Sequence, residues 1–331
     1  LFSGVPSNFD DTQPISESGE ISNTVLKSGK MIIAGFSDHT FFPLTKIWYN
    51  QMTKLGYTEH IVVATDNKTA EKCEREQMRY ELAPVDETAT HRRALWYQRI
   101  LFCKKKVEAG VSVLLTDVDN DFHRYVPLET FRDSGYDVIH AYEGRFPVWI
   151  FKQQGFVVCA GMVWFTATPE ALNLLNLWEA SCSQGAKSCN DQVELNLIYL
   201  KVLDMDWNRT PEETTVRVKS NDENNGLLEI GMVGKSPVTN HTVKIWDRDF
   251  AWRGPFATEK CPSLENNWMT MQSGLSYQYL VEKNHKVKNK MQQTEMWQDY
   301  CGPNGTNREK GHENALEAAY KRYLERKKIN A

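Results

Sequence analysis

The pattern of apolar and polar positions changes period repeatedly along this chain, and each change marks an element. MIIAGF (31–36) is an apolar run of strand length and predicts a buried strand. FFPLTKIWYNQMTKL (41–55) follows with helical spacing, and HIVVATD (60–66) predicts a second strand that closes on an aspartate. HRRALWYQRILFCKKKVEAG (91–110) carries Trp96, Ile100, Cys103 and Val107 as the apolar stripe of a helix that Gly110 stops. VSVLLTD (111–117) predicts a third strand, and DVIHAY (137–142) and VCAGMVWF (158–165) are strand-like. TPEALNLLNLWEAS (168–181) predicts a helix with Thr168 as N-cap and Pro169 at its first position, and DQVELNLIYL (191–200) predicts another. Strands alternating with helices of about 10 to 17 residues predict βαβ units, hence an α/β fold on a mostly parallel sheet flanked by helices.

The same pattern divides the chain. Residues 1–29 are rich in Ser, Asp, Pro and Gly and predict a flexible stem. Residues 30–205 form the regular α/β half. Residues 206–300 are aromatic and loop-rich, with WDRDFAWRGPF (246–256) at their centre, and predict a more irregular half. Residues 301–331 form a tail whose segment ENALEAAYKRYLERKK (313–328) predicts a charged amphipathic helix.

Composition narrows the function classes. With 331 residues, 41% hydrophobic and 25% charged, the chain can bury a substantial core. A net charge of −4 gives no reason to expect a nucleic-acid partner. No apolar stretch approaches the roughly 18 to 20 residues of a membrane helix, so a membrane enters only through an anchor preceding Leu1. The seven cysteines show no CxxC zinc spacing, but Cys182 and Cys189 bracket SQGAKS and can close it as a disulfide. Four sequons, at Asn67, Asn208, Asn240 and Asn304, together with that pair favour a secretory compartment: a Golgi-type lumen, or secretion.

The chemistry concentrates in VLLTDVDNDF (113–122). In an open parallel sheet, ligands bind at the carboxyl ends of the strands, where Ser37-Asp38, Asp66 and Asp117 fall. In an extended segment residues i and i+2 share a face, so Asp117 and Asp119 project together. Two such carboxylates repel unless a cation lies between them, and they suit a hard divalent ion that bridges phosphates. The D-x-D spacing recurs at Asp204/Asp206 and Asp247/Asp249, where solvated loop carboxylates are expected. Asp121 adds a third carboxylate that either joins a metal shell or faces water. Trp246 and Trp252 are expected in the core rather than on a ligand.

AGVSVLLTDVDNDFHRYVP (109–127) resembles the motif of nucleotide-diphospho-sugar transferases related to glycosyltransferase family 77. In the same order, MIIAGFSDHTFFPLTKIWYNQMTKLGYTEHIVVATD (31–66), CAGMVWFTATPEALNLLNLW (159–178), NDQVELN (190–196) and NHKVKNKMQQTEMW (284–297) resemble further segments of that family. The resemblance implies a GT-A fold, a Rossmann-like domain whose D-x-D holds Mn²⁺ (or Mg²⁺) against a UDP-sugar. It implies Asp119 as main metal ligand, Asp117 on the ribose or a metal-bound water, and His285 as a late ligand, with Lys288 nearby in the closing segment. Gly35, Phe36, Ser37, Asp38 and Asp66 would hold the uridine, and Arg99 would offset diphosphate charge. Gly161 would let the donor sugar approach the backbone. Asp191 and Gln192 would hydrogen-bond a sugar near the reacting carbon, with Asp191 facing the oxocarbenium side of a retaining reaction. The acceptor would be a glycan, a glycoprotein or a small molecule, and the donor sugar galactose, xylose or arabinose.

Each residue also has a structural reading: Asp66 and Asp191 as helix caps, Arg99 on a solvated stripe with Arg92 and Lys106, Gly161 as a strand kink, and His285 as a solvated loop histidine. Two further functions remain open from the sequence. A haloacid-dehalogenase-type phosphatase would use Asp117 as nucleophile, although such enzymes begin with the motif. A non-catalytic nucleotide-sugar-binding protein would keep the site without turnover.

Overall fold

A computed structural model describes residues 29–85, 91–143, 146–182, 189–209, 231–247, 250–253 and 268–271. The apolar runs become strands β1 (Lys30–Ser37), β2 (His60–Ala64) and β4 (Val111–Asp117), which lie parallel with β1 in the middle. A short strand β3 (Tyr80–Leu82) extends the β2 edge. Helices α1 (Phe42–Leu55), α2 (Asn67–Arg75) and α3 (His91–Glu108) connect them.

The sheet has nine strands in the order β3-β2-β1-β4-β7-β6-β10-β9-β8, where β6 is Val138–Glu143, β7 Val157–Phe165, β8 Asp206–Arg209, β9 Met232–Lys235 and β10 Thr242–Ile245. Strands β7 and β9 run against the other seven, so the sheet is mostly parallel in direction but antiparallel at β4–β7, β6–β7, β10–β9 and β8–β9. Successive strand residues feed opposite layers, as a period of two requires. Ala34, Val63 and Leu115 pack with Ile100, Cys103 and Val107 of α3 and with Leu174 and Trp178 of α6 (Pro169–Ser181). Ile33, Val62 and Leu114 pack on the other side with Trp48 and Met52 of α1 and Cys73 of α2. The sequence-based α/β sheet with helices on both faces, the arrangement expected of a GT-A fold, is present.

The predicted start of α6 holds in detail: the Thr168 hydroxyl accepts from Ala171 N–H at 3.2 Å, and Pro169 is the first helical residue. Cys182 and Cys189 are joined as a disulfide. The division placed near 205 is not a break in the sheet, because β8, β9 and β10 come from beyond it and complete the same nine strands. A second sheet orders β11 (Ala251–Arg253), β12 (Met269–Met271) and β5 (Asp121–Phe122), so segments far along the chain pair with the residues that follow Asp119. Trp246 is buried against Phe131 and Trp268, both at 5.3 Å between ring centroids, which makes it core. The helices α4 (Glu129–Arg132) and α5 (Val148–Gln154), the helix α7 (Asp191–Leu197) and a π-helical turn at Ile198–Val202 complete the described elements. The stem 1–28, the tail 301–331, the side chain of Trp252, Asp249, His285 and Lys288 lie outside the described residues.

Candidate active site

Strands β1 and β4 run in register with Phe36 beside Asp117, so Ser37, Asp38 and Asp117 reach the same edge of the sheet. Helix α3 crosses above and delivers Arg99, whose side chain is only 7% exposed. Its Nη1 lies 3.1 Å from Asp117 Oδ1, and its Nη2 donates to Ala160 O at 3.2 Å. Burial works against this charge, but the carboxylates of Asp117 and Asp191 outweigh it and raise the guanidinium's pKa. Arg99 is therefore not on a solvated stripe: Nη1 and Nη2 meet protein oxygens, while Nε is buried without a hydrogen-bond partner.

Gly161 faces the other side of Asp117. A Cβ at 161 would lie 2.4 Å from Asp117 Oδ2, so only glycine leaves room for the carboxylate in this position. The close approach that glycine permits here is to Asp117. Gly35 is constrained in a similar way, since a Cβ would come within 2.8 Å of the Trp48 ring and 2.9 Å of Val118.

The chain turns after Asp117, with Asn120 N–H donating to Asp117 O at 3.2 Å and the Asn120 amide to the Thr116 hydroxyl at 2.9 Å. This turn presents Asp119, which is half-buried, on the wall of the cleft that Asp117 also lines. The cleft holds about 380 Å³, a volume in the range of small-molecule sites. Phe36, Ser37, Asp38 and Arg99 share its wall, and Gly35 is not among the residues lining it. The sequence reading missed Phe41, Leu95, Trp96 and Val118, which give the cleft its apolar surface. The spacing puts Trp96 on the apolar stripe of α3, four residues before Ile100; at the open end of the sheet that stripe meets the cleft instead of the core.

Several expected side chains are occupied. Asp66 is the N-cap of α2, accepting from Thr69 N–H at 2.8 Å, the Thr69 hydroxyl at 3.1 Å and His39 N–H at 2.9 Å. It is not among the residues lining the cleft. Asp38 Oδ1 accepts from Thr40 N–H at 2.8 Å and Phe41 N–H at 2.9 Å, shaping the turn into α1. Asp121 does not face water: it is buried, and the Gln51 amide of α1 donates to it and to Phe122 O. Of the other two D-x-D pairs, Asp206 opens the edge strand β8, and Asp247 accepts from Phe250 N–H at 2.8 Å.

Asp191 is the first residue of α7, but the cap is Asn190, whose side chain accepts from Val193 N–H at 3.2 Å. Asp191 is buried at 5% exposure and acts electrostatically on Arg99. Gln192 turns its amide to β7: Oε1 accepts from Ala160 N–H at 2.8 Å, and Nε2 donates to Val158 O and to Phe146 O, the latter at 3.4 Å. The group expected to hold a sugar is spent on backbone.

Among the described residues no group of three or more His, Cys, Asp or Glu side chains could hold a metal ion. The carboxylates of Asp117 and Asp119 supply oxygen donors of the kind Mg²⁺ and Mn²⁺ take. One Asp117 oxygen meets Arg99.

The sequence profile of the nucleotide-diphospho-sugar transferase family matches residues 56–225. A comparison with curated protein sequences finds no match. Solved structures similar to the chain include the bifunctional glycosyltransferase WbbM (9% identity, TM-score 0.40, covering 74% of this chain and 46% of that one). The glycosyltransferase GlyE of Streptococcus pneumoniae is 11% identical with a TM-score of 0.32, over 51% of this chain and 43% of that one. Mouse xyloside xylosyltransferase 1 is 10% identical with a TM-score of 0.38, over 68% and 87%. The chain spans less than half the length of the first two. The profile match covers just over half of the 331 residues and takes in Arg99, Asp117, Asp119, Gly161, Asp191 and Gln192. The chain therefore belongs to the nucleotide-diphospho-sugar transferase family.

Proposed function

We propose that the chain transfers galactose, xylose or arabinose from a UDP-sugar to a glycan, glycoprotein or small-molecule acceptor, with retention and with a divalent cation. The observation that carries this reading is the Arg99-held Asp117 beside Asp119 on one cleft wall. Asp119 would be the main ligand of Mn²⁺ or Mg²⁺, with Asp117 its neighbour, and the ion would neutralise diphosphate charge. Phe36, Ser37 and Asp38 would flank the nucleoside, with Leu95 and Trp96 covering apolar parts of the donor. In the reaction the bond from the anomeric carbon to the diphosphate breaks, and UDP leaves with the electron pair. The acceptor oxygen forms the new glycosidic bond and gives its proton to the departing diphosphate oxygen. Asp191, buried and already charge-coupled to Arg99, would stabilise positive charge developing on the sugar.

Incubation with a panel of UDP-sugars and Mn²⁺ tests this. Release of UDP that requires the metal and disappears in Asp119→Ala supports transfer. Phosphate release from a phosphatase substrate, dependent on Asp117, would favour the phosphatase. UDP binding without turnover would leave a binding protein. We further propose a secretory-pathway lumen as the compartment, on the Cys182–Cys189 bridge and the exposed sequon residues Asn67 and Asn240. A glycosidase-sensitive mobility shift after expression with a signal peptide tests it, and an unshifted, reduced protein would oppose it.

A further inference from the structure

Strand β4 ends at Asp117 while its antiparallel neighbour β7 runs on. Their pairing matches Val113–Thr116 with Met162–Phe165, so among the described residues no strand pairs with Val158 and Ala160 on the β4 side. On the other side β6 pairs with β7 across a bulge, where a ring nitrogen of His140 lies 3.0 Å from Cys159 O. Buried backbone groups without partners destabilise a fold.

Side chains stand in for the missing strand. Asn196 accepts from Val158 N–H at 2.9 Å and donates to Val158 O at 3.0 Å. Gln192 accepts from Ala160 N–H at 2.8 Å and also donates to Val158 O. Arg99 donates to Ala160 O at 3.2 Å. Two residues along a strand span about 6.6 Å, and four residues along a helix about 6 Å. One face of α7 can therefore serve both same-side residues of β7 at once. Asn196 is fully buried and further donates to Gln192 O at 2.7 Å, which ties the two rungs together.

We propose that Gln192 and Asn196 form a clip that fixes α7 in register on β7, and that Gln192 is a positioning residue for sugar transfer. The clip sets two things at once. It places Asp191, the residue before Gln192, near Arg99, and it fixes the Ala160–Gly161 peptide that Arg99 and Asp117 rest against. Gln192 acts on the reaction through Ala160, Arg99 and Asp117; its Oε1 already accepts from Ala160 N–H. The inference rests on the transferase reading only in that its catalytic effect is read as turnover.

The test uses the whole chain, with Gln192→Met, which keeps length but removes all three side-chain bonds, and Asn196→Asp, which keeps the bond to Val158 N–H. Amide exchange at residues 158–161, melting temperature, UDP affinity and steady-state kinetics with a UDP-sugar and Mn²⁺ are measured for each. In Gln192→Met, exchange at Ala160 rises about tenfold. Its kcat falls about 30- to 100-fold per folded molecule, while donor KM and UDP affinity stay within about twofold. Asn196→Asp shifts in the same direction by less, although Asn196 cannot reach a ligand. A fall in kcat with unchanged Ala160 exchange overturns the proposal, since Gln192 would then touch substrate. A lower melting temperature with unchanged kcat also overturns it, leaving the clip a purely structural device. Should the wild-type chain turn over no UDP-sugar, the transferase reading falls, and unchanged Ala160 exchange in Gln192→Met still refutes the clip.

Discussion

Two aspartates lie at the ends of the parallel strands that flank β1, and they have opposite fates. Asp66 follows β2, and α2 begins at the very next residue, so its carboxylate turns down onto Thr69 N–H and takes His39 N–H as well. Asp117 ends β4 and is followed by a turn, so no helix N-terminus claims it. Instead the preceding helix α3 brings a buried guanidinium to one side, and Gly161 clears the other. Asp66 closes the fold and Asp117 opens a site. What separates them is the element that follows each strand and the cation that precedes it.

This contrast can be broken or sharpened by substitution. The largest effect belongs to Asp119→Ala, which should lower UDP-sugar turnover by about a thousandfold with the melting temperature nearly unchanged. Gly161→Ala should come next: its methyl would press on Asp117 Oδ2, which must shift, and kcat should fall about a hundredfold. Arg99→Met should cost a similar factor in kcat and destabilise by about 1–3 kcal/mol, because Ala160 O loses its buried donor. Denaturant unfolding alongside kinetics would separate those two parts. Asp66→Ala should do the reverse, losing about 1 kcal/mol of stability as a missing helix cap while turnover stays within about twofold.

The smallest effect is a pH dependence of stability. Burial alone would raise the Asp66 carboxyl, but the N–H groups of Thr69 and His39 and the Thr69 hydroxyl outweigh it and hold the pKa below the usual value. A carboxylate whose folded pKa is depressed stabilises the fold above its unfolded pKa of about 3.9, and that contribution is lost as pH falls through the folded value. Asp66→Ala should therefore flatten the acid limb of the stability curve below about pH 4 and leave the neutral region parallel to wild type. An acid limb identical in the two proteins would contradict the capping role.

The strands and helices with strong periodicity were legible in the sequence. β1, β2 and β4 were read from uninterrupted apolar runs, and α6 from its Thr168-Pro169 start. Short elements were not: β3 has three residues, and α5, between Pro147 and Gly155, carries too few turns to show a period. β8 to β10 were assigned to an irregular half because four-residue strands joined by long connections leave little alternation to see.

The cleft was legible at Asp117 and Asp119, where carboxylates two apart at a strand end are chemically conspicuous. Its supporting contacts were not. That Arg99 is buried, that Gly161 serves Asp117 and that Gln192 serves β7 all depend on β7 outrunning β4, a fact of tertiary register with no local signature. Asp121 shows the converse, a conspicuous carboxylate that packing hands to Gln51.

The most direct test is calorimetric titration of UDP into the wild-type chain and Asp119→Ala, each with and without Mn²⁺. Tight binding to the wild type that depends on the ion and is lost in the variant is the expected result. UDP binding of equal strength in all four titrations, or none in any, would contradict a nucleotide-sugar site between Asp117 and Asp119.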